Sequence, residues 1–122
     1  MLVFKERSDL ELWRSGEGPR WVRDRITLMN AIAEHYFSRS IRVSSWAKPS
    51  PFHEDMEAFD VSRCSAGDRG YFGKDTWMVG EARLMELYCL QAGIPLVVIS
   101  KGQAGEHWHV GDVATKIFQR GG

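Results

Sequence analysis

Cysteine is scarce in this 122-residue chain, which contains only Cys64 and Cys89, and neither has a second cysteine at metal-ligand spacing. Thiolate ligation is therefore the weaker interpretation of any metal site in the sequence. Two thiols that need not form a bridge fit a reducing compartment. Free cysteine behaves as a small hydrophobic residue, so both side chains are expected to be buried.

An excess of charge of either sign and long apolar runs are missing as well. Sixteen Lys and Arg balance sixteen Asp and Glu, so the formal net charge is zero and no bulk attraction to nucleic acid or an anionic membrane is expected. No segment approaches transmembrane length, and the apolar stretch at the N-terminus is too short for a signal-peptide core. We therefore expect synthesis in the cytoplasm, no nucleic-acid partner and no membrane insertion.

The length indicates one small domain. A chain of 122 residues can bury a core but leaves little for a second module. A cluster of glycine and proline at residues 16–19 precedes the first strong periodicity. The predicted domain therefore has an N-terminal segment, 1–19, and a core spanning about residues 20–118. We expect this domain to be a monomer.

The spacing of apolar residues predicts the first helix and four strands. Steps of three and four residues over 21–36 predict an amphipathic helix, and alternation over 41–46 predicts a short strand. Residues 57–62 are typical of a second strand. The apolar run at 96–100 predicts a strand buried on both faces, in a hairpin with a strand that contains His109.

A second helix is predicted between these strands. Asp75 is its expected cap, and its expected core face comprises Met78, Ala82, Met85, Cys89 and Ala92. Its apolar width predicts that it is the central buried helix. The resulting fold class is α+β, with a single antiparallel sheet of about four strands backed by helices.

Two short segments contain the residue types of a catalytic zinc site. His53 and Asp60 lie seven positions apart, and the second segment reads Glu106-His107-Trp108-His109. Three nitrogen or oxygen ligands with one open coordination position are typical of catalytic zinc. Taken singly, each of these residues is as well explained as a polar loop or capping residue, but their joint presence favours a metal site.

The first segment resembles a signature of the zinc D-Ala-D-Ala carboxypeptidase and L-alanyl-D-glutamate endopeptidase family, whose core fold is shared with the zinc domain of hedgehog proteins. That signature reads S-x-H-x-x-G-x-A-x-D, and His53, Ala58 and Asp60 fall on its positions. Met56 stands where the family usually has glycine. The resemblance implies Zn²⁺ held by His53, Asp60 and His109.

The second segment resembles the family's other signature, which reads E-x-x-H or H-x-H. Glu106 with His109 satisfies the first form, and His107 with His109 satisfies the second. The resemblance therefore implies that Glu106 or His107 is the general base. Side chains two apart share a face of a strand, so Glu106 would face away from His109 unless the backbone bends at Gly105.

Relatives in this family carry an arginine that helps to bind the scissile carbonyl or the substrate carboxylate. It lies in a segment reading roughly S-G-Y-R ahead of the histidine, and Ser45-Trp46-Ala47-Lys48 occupies the corresponding stretch. Lys48 supplies a charge there without the planar fork of arginine. Arg42 is close in sequence and is the alternative for the same role.

The resemblance spans roughly residues 20 to 115 in element order, with motif identity confined to the two segments. It implies a zinc metallopeptidase that cuts the stem peptide of bacterial peptidoglycan. A short chain without a signal peptide suggests a phage or prophage endolysin that reaches the cell wall through a holin lesion. The alternative is a catalytically silent metal- or peptide-binding module of the same fold, such as a phage structural component.

Overall fold

The chain folds around a single five-stranded sheet. In the computed structural model, residues 2–46, 57–63, 77–99 and 106–111 are described. The strands are β1 (Val3–Phe4), β2 (Arg42–Ser45), β3 (Phe59–Ser62), β4 (Leu96–Ile99) and β5 (His107–Val110). The helices are α1 (Arg7–Ser15), α2 (Arg20–Phe37) and α3 (Val79–Gln91).

The strand order is β1-β2-β3-β5-β4. β1 runs parallel to β2, and every other neighbouring pair is antiparallel. The α+β class and the single sheet backed by helices are therefore confirmed. The expected purely antiparallel sheet of about four strands is wrong in one respect, because β1 adds a fifth, parallel strand.

The alternation of side chains along the strands divides the sheet into two different faces. On one face, buried apolar residues of β2, β3 and β5 pack against α2 and α3: Val43, Phe59, Val61, Trp108 and Val110. The opposite face of β3 and β5 is polar, with Asp60, Ser62, His107 and His109. We call these two surfaces the helix face and the polar face.

Helix α2 is the main apolar layer over the helix face. Its buried residues recur at three- and four-residue steps and comprise Val22, Ile26, Met29, Ile32 and Ala33. The helix ends at Phe37, and the next residue, Ser38, has a left-handed φ of 54°. Asn30 then accepts a hydrogen bond from the backbone N–H of Ile41 at 3.0 Å, which ties α2 to the start of β2. The predicted helix at 21–36 is confirmed.

The N-terminal segment belongs to the same core. Leu2, Phe4, Leu12 and Trp13 pack against the buried cluster. On α1, Asp9 is buried and its carboxylate accepts the backbone N–H of Trp46 at 3.1 Å. β1 and α1, which lie within the predicted N-terminal segment 1–19, thus contribute to this core.

Two expectations about burial are wrong. Met78 precedes α3 and is 75 % exposed, and Ala92 is also exposed, so the buried stripe of α3 is reduced to Ala82, Met85 and Cys89. Leu84, Leu87 and Leu90 of the same helix are about half exposed. α3 is therefore a one-sided surface helix, and α2 occupies the central place. The expected cap, Asp75, lies outside the described residues.

β4 also differs from its prediction. It lies at the edge of the described sheet, with β5 as its neighbour, and Val98 is 40 % exposed. The predicted hairpin-like pairing of the two late strands is confirmed by their antiparallel register. Within the described ranges, no helix has both the length and the apolar character needed to cross a bilayer.

Candidate metal and catalytic site

The register between β3 and β5 brings two of the predicted metal ligands together. Asp60 is the direct partner of His109, and Ser62 is the direct partner of His107. Directly opposite residues of an antiparallel pair project from the same face, and residues two apart do so as well. Asp60, His107 and His109 therefore converge on the polar face.

The carboxylate of Asp60 lies between two imidazoles. Its Oδ1 is 2.9 Å from Nδ1 of His109, and its Oδ2 is 4.0 Å from Nε2 of His107. The His109 side chain is 2 % exposed, whereas those of Asp60 and His107 are 17 % and 15 % exposed. His109 is thus held deep in the site, and the other two side chains form its partly accessible rim.

The two ring nitrogens of His109 have different surroundings. Nδ1 faces Asp60, and the opposite atom, Nε2, is buried. A carboxylate on one ring nitrogen fixes the orientation of the imidazole. His109 is therefore preorganised, with its ring aligned before any ligand binds.

Glu106 lies on the helix face instead. Its carboxylate forms an ion pair with NH1 of Arg63, whose guanidinium also contacts Glu86 of α3 at 3.2 Å. Glu106 lies in a bend directly before β5, and its ion pair with Arg63 holds its carboxylate on the side of the sheet opposite to His109. Gly105, where a bend was expected, lies outside the described residues. Of the two candidate bases, His107 is the one that lies beside Asp60 on the polar face.

Arg42 lies beside the polar face, at the start of β2. Its NH1 donates a hydrogen bond to Oγ of Ser62 at 3.0 Å, and Ser62 is the partner of His107. A cationic fork is thus present two strands from the imidazoles. Its predicted alternative, Lys48, lies outside the described residues, as does the predicted metal ligand His53.

The polar face changes character across the sheet. On the β4 side, Val97 and Ile99 are the direct partners of His109 and His107. On the β2 side, an irregularity in the register between Val43 and Ser45 makes Ser45 the partner of Asp60. The imidazoles are therefore flanked by an aliphatic edge on one side and by hydroxyl and guanidinium groups on the other.

The donor set of the site is compatible with zinc. Asp60 and His109 supply one oxygen and one nitrogen that are 2.9 Å apart. Zinc bond lengths of roughly 2.0–2.2 Å at tetrahedral angles put neighbouring donors about 3.3 Å apart, so a small movement would suffice. Within the described ranges, no group of three or more His, Cys, Asp or Glu side chains is arranged to hold a metal. A third zinc ligand would have to come from outside the described ranges, where His53 is the predicted one.

Arg63 is a residue that the sequence did not single out. It is buried and contacts two carboxylates, one of them adjacent in sequence to His107. Its position directly after the strand of Asp60 was visible in the sequence, but neither partner is near it along the chain.

Comparisons with protein-family models, curated proteins and solved structures found no match to this chain. The assignment of a function therefore depends on the two sequence motifs and on the geometry of the polar face.

Proposed function

We propose that this chain is a zinc-dependent peptidase that hydrolyses the stem peptide of bacterial peptidoglycan. The observation that carries the proposal is the carboxylate of Asp60 between the imidazoles of His107 and His109 on one face of a sheet. The sequence motifs predict Asp60 and His109 in one site, with His107 as one of two candidate bases; Asp60 is 49 positions from His109 and 47 from His107 along the chain. Their convergence supports the proposal independently of residue spacing.

In the proposed site, His53, Asp60 and His109 hold the metal. All three supply the nitrogen or oxygen donors that zinc accepts in catalytic sites. When bound in this way, zinc activates a water molecule near neutral pH and polarises the scissile carbonyl. The hedgehog-like version of the α+β fold belongs to the same proposal, and the antiparallel pairing of β3 and β5 is compatible with it.

His107 is the proposed general base. It is on the polar face, is partly accessible, and has its Nε2 directed toward the carboxylate that binds the metal. It would accept a proton from the attacking water and donate that proton to the leaving amine. Glu106, the alternative from the sequence, is held on the helix face by Arg63.

Arg42 is the proposed cation for the substrate. Its guanidinium is held by Ser62 at the edge of the site and can pair with a peptide carboxylate or with charge developing on the carbonyl oxygen. Lys48 is the other proposed residue for this role, since it occupies the position of the family arginine. The two assignments are separated by single substitutions, because loss of one such donor commonly lowers the rate by about 10² to 10³.

The proposed setting is the lysis of a bacterial cell wall by a phage or prophage endolysin. The substrate would be the stem peptide of the cell wall, cut next to D-Ala or between L-Ala and D-Glu. The decisive experiment is incubation of the zinc-loaded protein with purified peptidoglycan, followed by mass spectrometry of the released fragments. New amino termini would identify the bond that is cut, and unchanged peptidoglycan at high enzyme concentration would refute the activity.

The metal has its own test. One zinc per chain is expected by elemental analysis, and His53→Ala and His109→Ala should each lose it. Because a ligand that binds only the folded state stabilises that state, zinc should raise the melting temperature of the metal-free protein. A melting temperature that does not respond to zinc would refute the metal site.

A catalytically silent module remains the second candidate. The observation that favours it is the ion pair of Glu106 with Arg63, which removes one of the two possible bases from the polar face. Such a module would bind zinc and peptide but release no fragments. Zinc binding without hydrolysis, together with binding of the stem peptide, is the result that would select it.

A further inference from the structure

Arg63 joins three parts of the chain on the helix face. It follows β3 directly, and its side chain is 8 % exposed. Its Nε and NH2 contact the carboxylate of Glu86 on α3, each at 3.2 Å, while NH1 contacts Glu106. A guanidinium shared by two carboxylates is fixed in direction as well as in charge, because its donors form a rigid planar fork.

The backbone of Arg63 is held at the same place. Its N–H donates to the carbonyl of Glu106 at 3.2 Å, and its own carbonyl accepts the N–H of Trp77 at 2.6 Å. The first of these bonds extends the pairing of β3 and β5 by one step beyond Ser62 and His107. Both the backbone and the side chain of Glu106 are therefore fixed by one residue.

Fixing Glu106 determines which way His107 points. Successive side chains of a strand project from opposite faces, and a slip of one residue exchanges the faces. Glu106 lies in the bend before β5 but remains paired with Arg63 through its backbone, so with its side chain drawn to the helix face His107 projects from the polar face, toward Asp60. The ion pair is on the opposite side of the sheet from the imidazoles, so it acts on the site through the strand.

We propose that Arg63 is a positioning residue for His107, with Glu106 as its counter-ion and not as the base of the reaction. This inference rests on the proposed peptidase function. The proposed metal ligands play no part in this inference, because Arg63, Glu86 and Glu106 lie on the helix face. The inference gives Glu86 and Glu106 the same role, that of a counter-ion to Arg63. Of the two, Glu106 is the one next to His107 in sequence.

The test compares Arg63→Gln, Glu86→Gln and Glu106→Gln in the full-length, zinc-loaded protein. Glu11→Gln is the matched control, because Glu11 forms an exposed ion pair with Arg7 within α1. We expect Arg63→Gln to lower kcat by about tenfold to 10²-fold, since small misplacements of a catalytic group have effects of that size. KM and zinc content should change less than about twofold, because the substrate and metal contacts remain. Arg63→Lys should recover part of the loss.

A double substitution separates positioning from general stability. If Arg63 acts through His107, adding Arg63→Gln to His107→Ala should cause no further loss of kcat. An additive loss would overturn the proposal. Abolition of turnover by Glu106→Gln, with Glu86→Gln unaffected, would also overturn it and would identify Glu106 as the base.

A measurement without substrate keeps the inference apart from the proposed activity. The backbone contact between Ser62 and His107 and that between Phe59 and Val110 lie at opposite ends of the same strand pair, and both are observable by nuclear Overhauser effects. Arg63→Gln should weaken the first and retain the second. Retention of both contacts with wild-type intensity would overturn the proposal even if the wild-type protein proved to have no peptidase activity. If Arg63→Gln does not fold, the same comparison in Glu86→Gln and Glu106→Gln decides, and unchanged contacts in both would overturn it.

Discussion

A single methyl group at Gly111 should disturb the strand pair that carries the site. Gly111 follows β5, and Ala58 precedes β3 on the paired strand. A Cβ added at Gly111 would overlap the Cβ of Ala58 and would lie 3.1 Å from its Cα and 3.4 Å from the carbonyl oxygen of Glu57. Two of these obstacles are backbone atoms, so rotation of a side chain cannot relieve the overlap.

The expected cost follows from that geometry. Overpacking of a well-packed interior typically lowers the free energy of unfolding by about 1–3 kcal/mol, and an overlap with backbone belongs to the upper half of this range. We therefore expect Gly111→Ala to lose about 2–3 kcal/mol, out of a total of roughly 5–15 kcal/mol for a domain of this kind. In thermal unfolding this corresponds to a decrease of roughly 8–12 °C.

Urea denaturation of the metal-free protein measures this loss directly. The midpoint should fall with an unchanged m-value, which would attribute the effect to stability and not to a different denatured state. The matched variant is Ala58→Gly, which removes the obstructing Cβ. In the double variant the cost of Gly111→Ala should be smaller by at least about 1 kcal/mol, because the two residues are in contact. A neutral Gly111→Ala, or strict additivity of the two substitutions, would refute the close approach of these strands.

The sequence predicts those helices and strands whose buried apolar residues are regularly spaced. α2 was predicted within one residue at each end, since its buried residues recur at helical spacing along the whole length. β1 and α1 were missed for the opposite reason. β1 is two residues long, and the one fully buried residue of α1 is the carboxylate Asp9, which carries no apolar signal.

A short apolar run does not show whether a strand lies at the edge or in the centre of a sheet. Leu96–Ile99 is continuous in apolar residues, which is typical of a strand buried on both faces, yet β4 has one neighbour in the described sheet. Position within a sheet depends on pairing order, which local sequence does not contain. The same limit applies to α3, whose apolar width predicted the central buried helix although Leu84, Leu87 and Leu90 are about half exposed.

The site was predictable in composition but not in the direction of each side chain. Period-two alternation correctly placed His107 and His109 on one face and raised the question of Glu106. The direction of the Glu106 carboxylate follows from its ion pair with Arg63, which is 43 positions away along the chain. A long-range ion pair of this kind leaves no trace in motif spacing, so the side chain's direction could not be predicted from the sequence.

Three further predictions concern residues that support the core beneath the site. Asp9→Ala should lower the free energy of unfolding by about 1–3 kcal/mol, because it leaves the buried N–H of Trp46 without its acceptor. Asp9→Asn keeps a side-chain oxygen and should lower it less. Chemical denaturation measures both variants, and equal losses would contradict the prediction. Gly18→Ala should lower the melting temperature by several degrees, since Gly18 has a φ of +93° and an added Cβ would lie 2.5 Å from the Trp46 ring. An unchanged melting temperature would contradict both the left-handed backbone at Gly18 and the close approach of the ring. Burial, together with the nearby charge of Glu86, raises the pKa of the Cys89 thiol from 9.0 to about 12. The neutral thiol therefore favours the folded state fully below pH 9, and this contribution is lost as the pH rises from 9 toward 12, because the unfolded chain ionises first. Between pH 9 and 12 the free energy of unfolding of the wild type should fall faster than that of Cys89→Ala, by up to about 1.4 kcal/mol per pH unit. If the two proteins show the same dependence of unfolding free energy on pH, burial does not raise the pKa of this thiol.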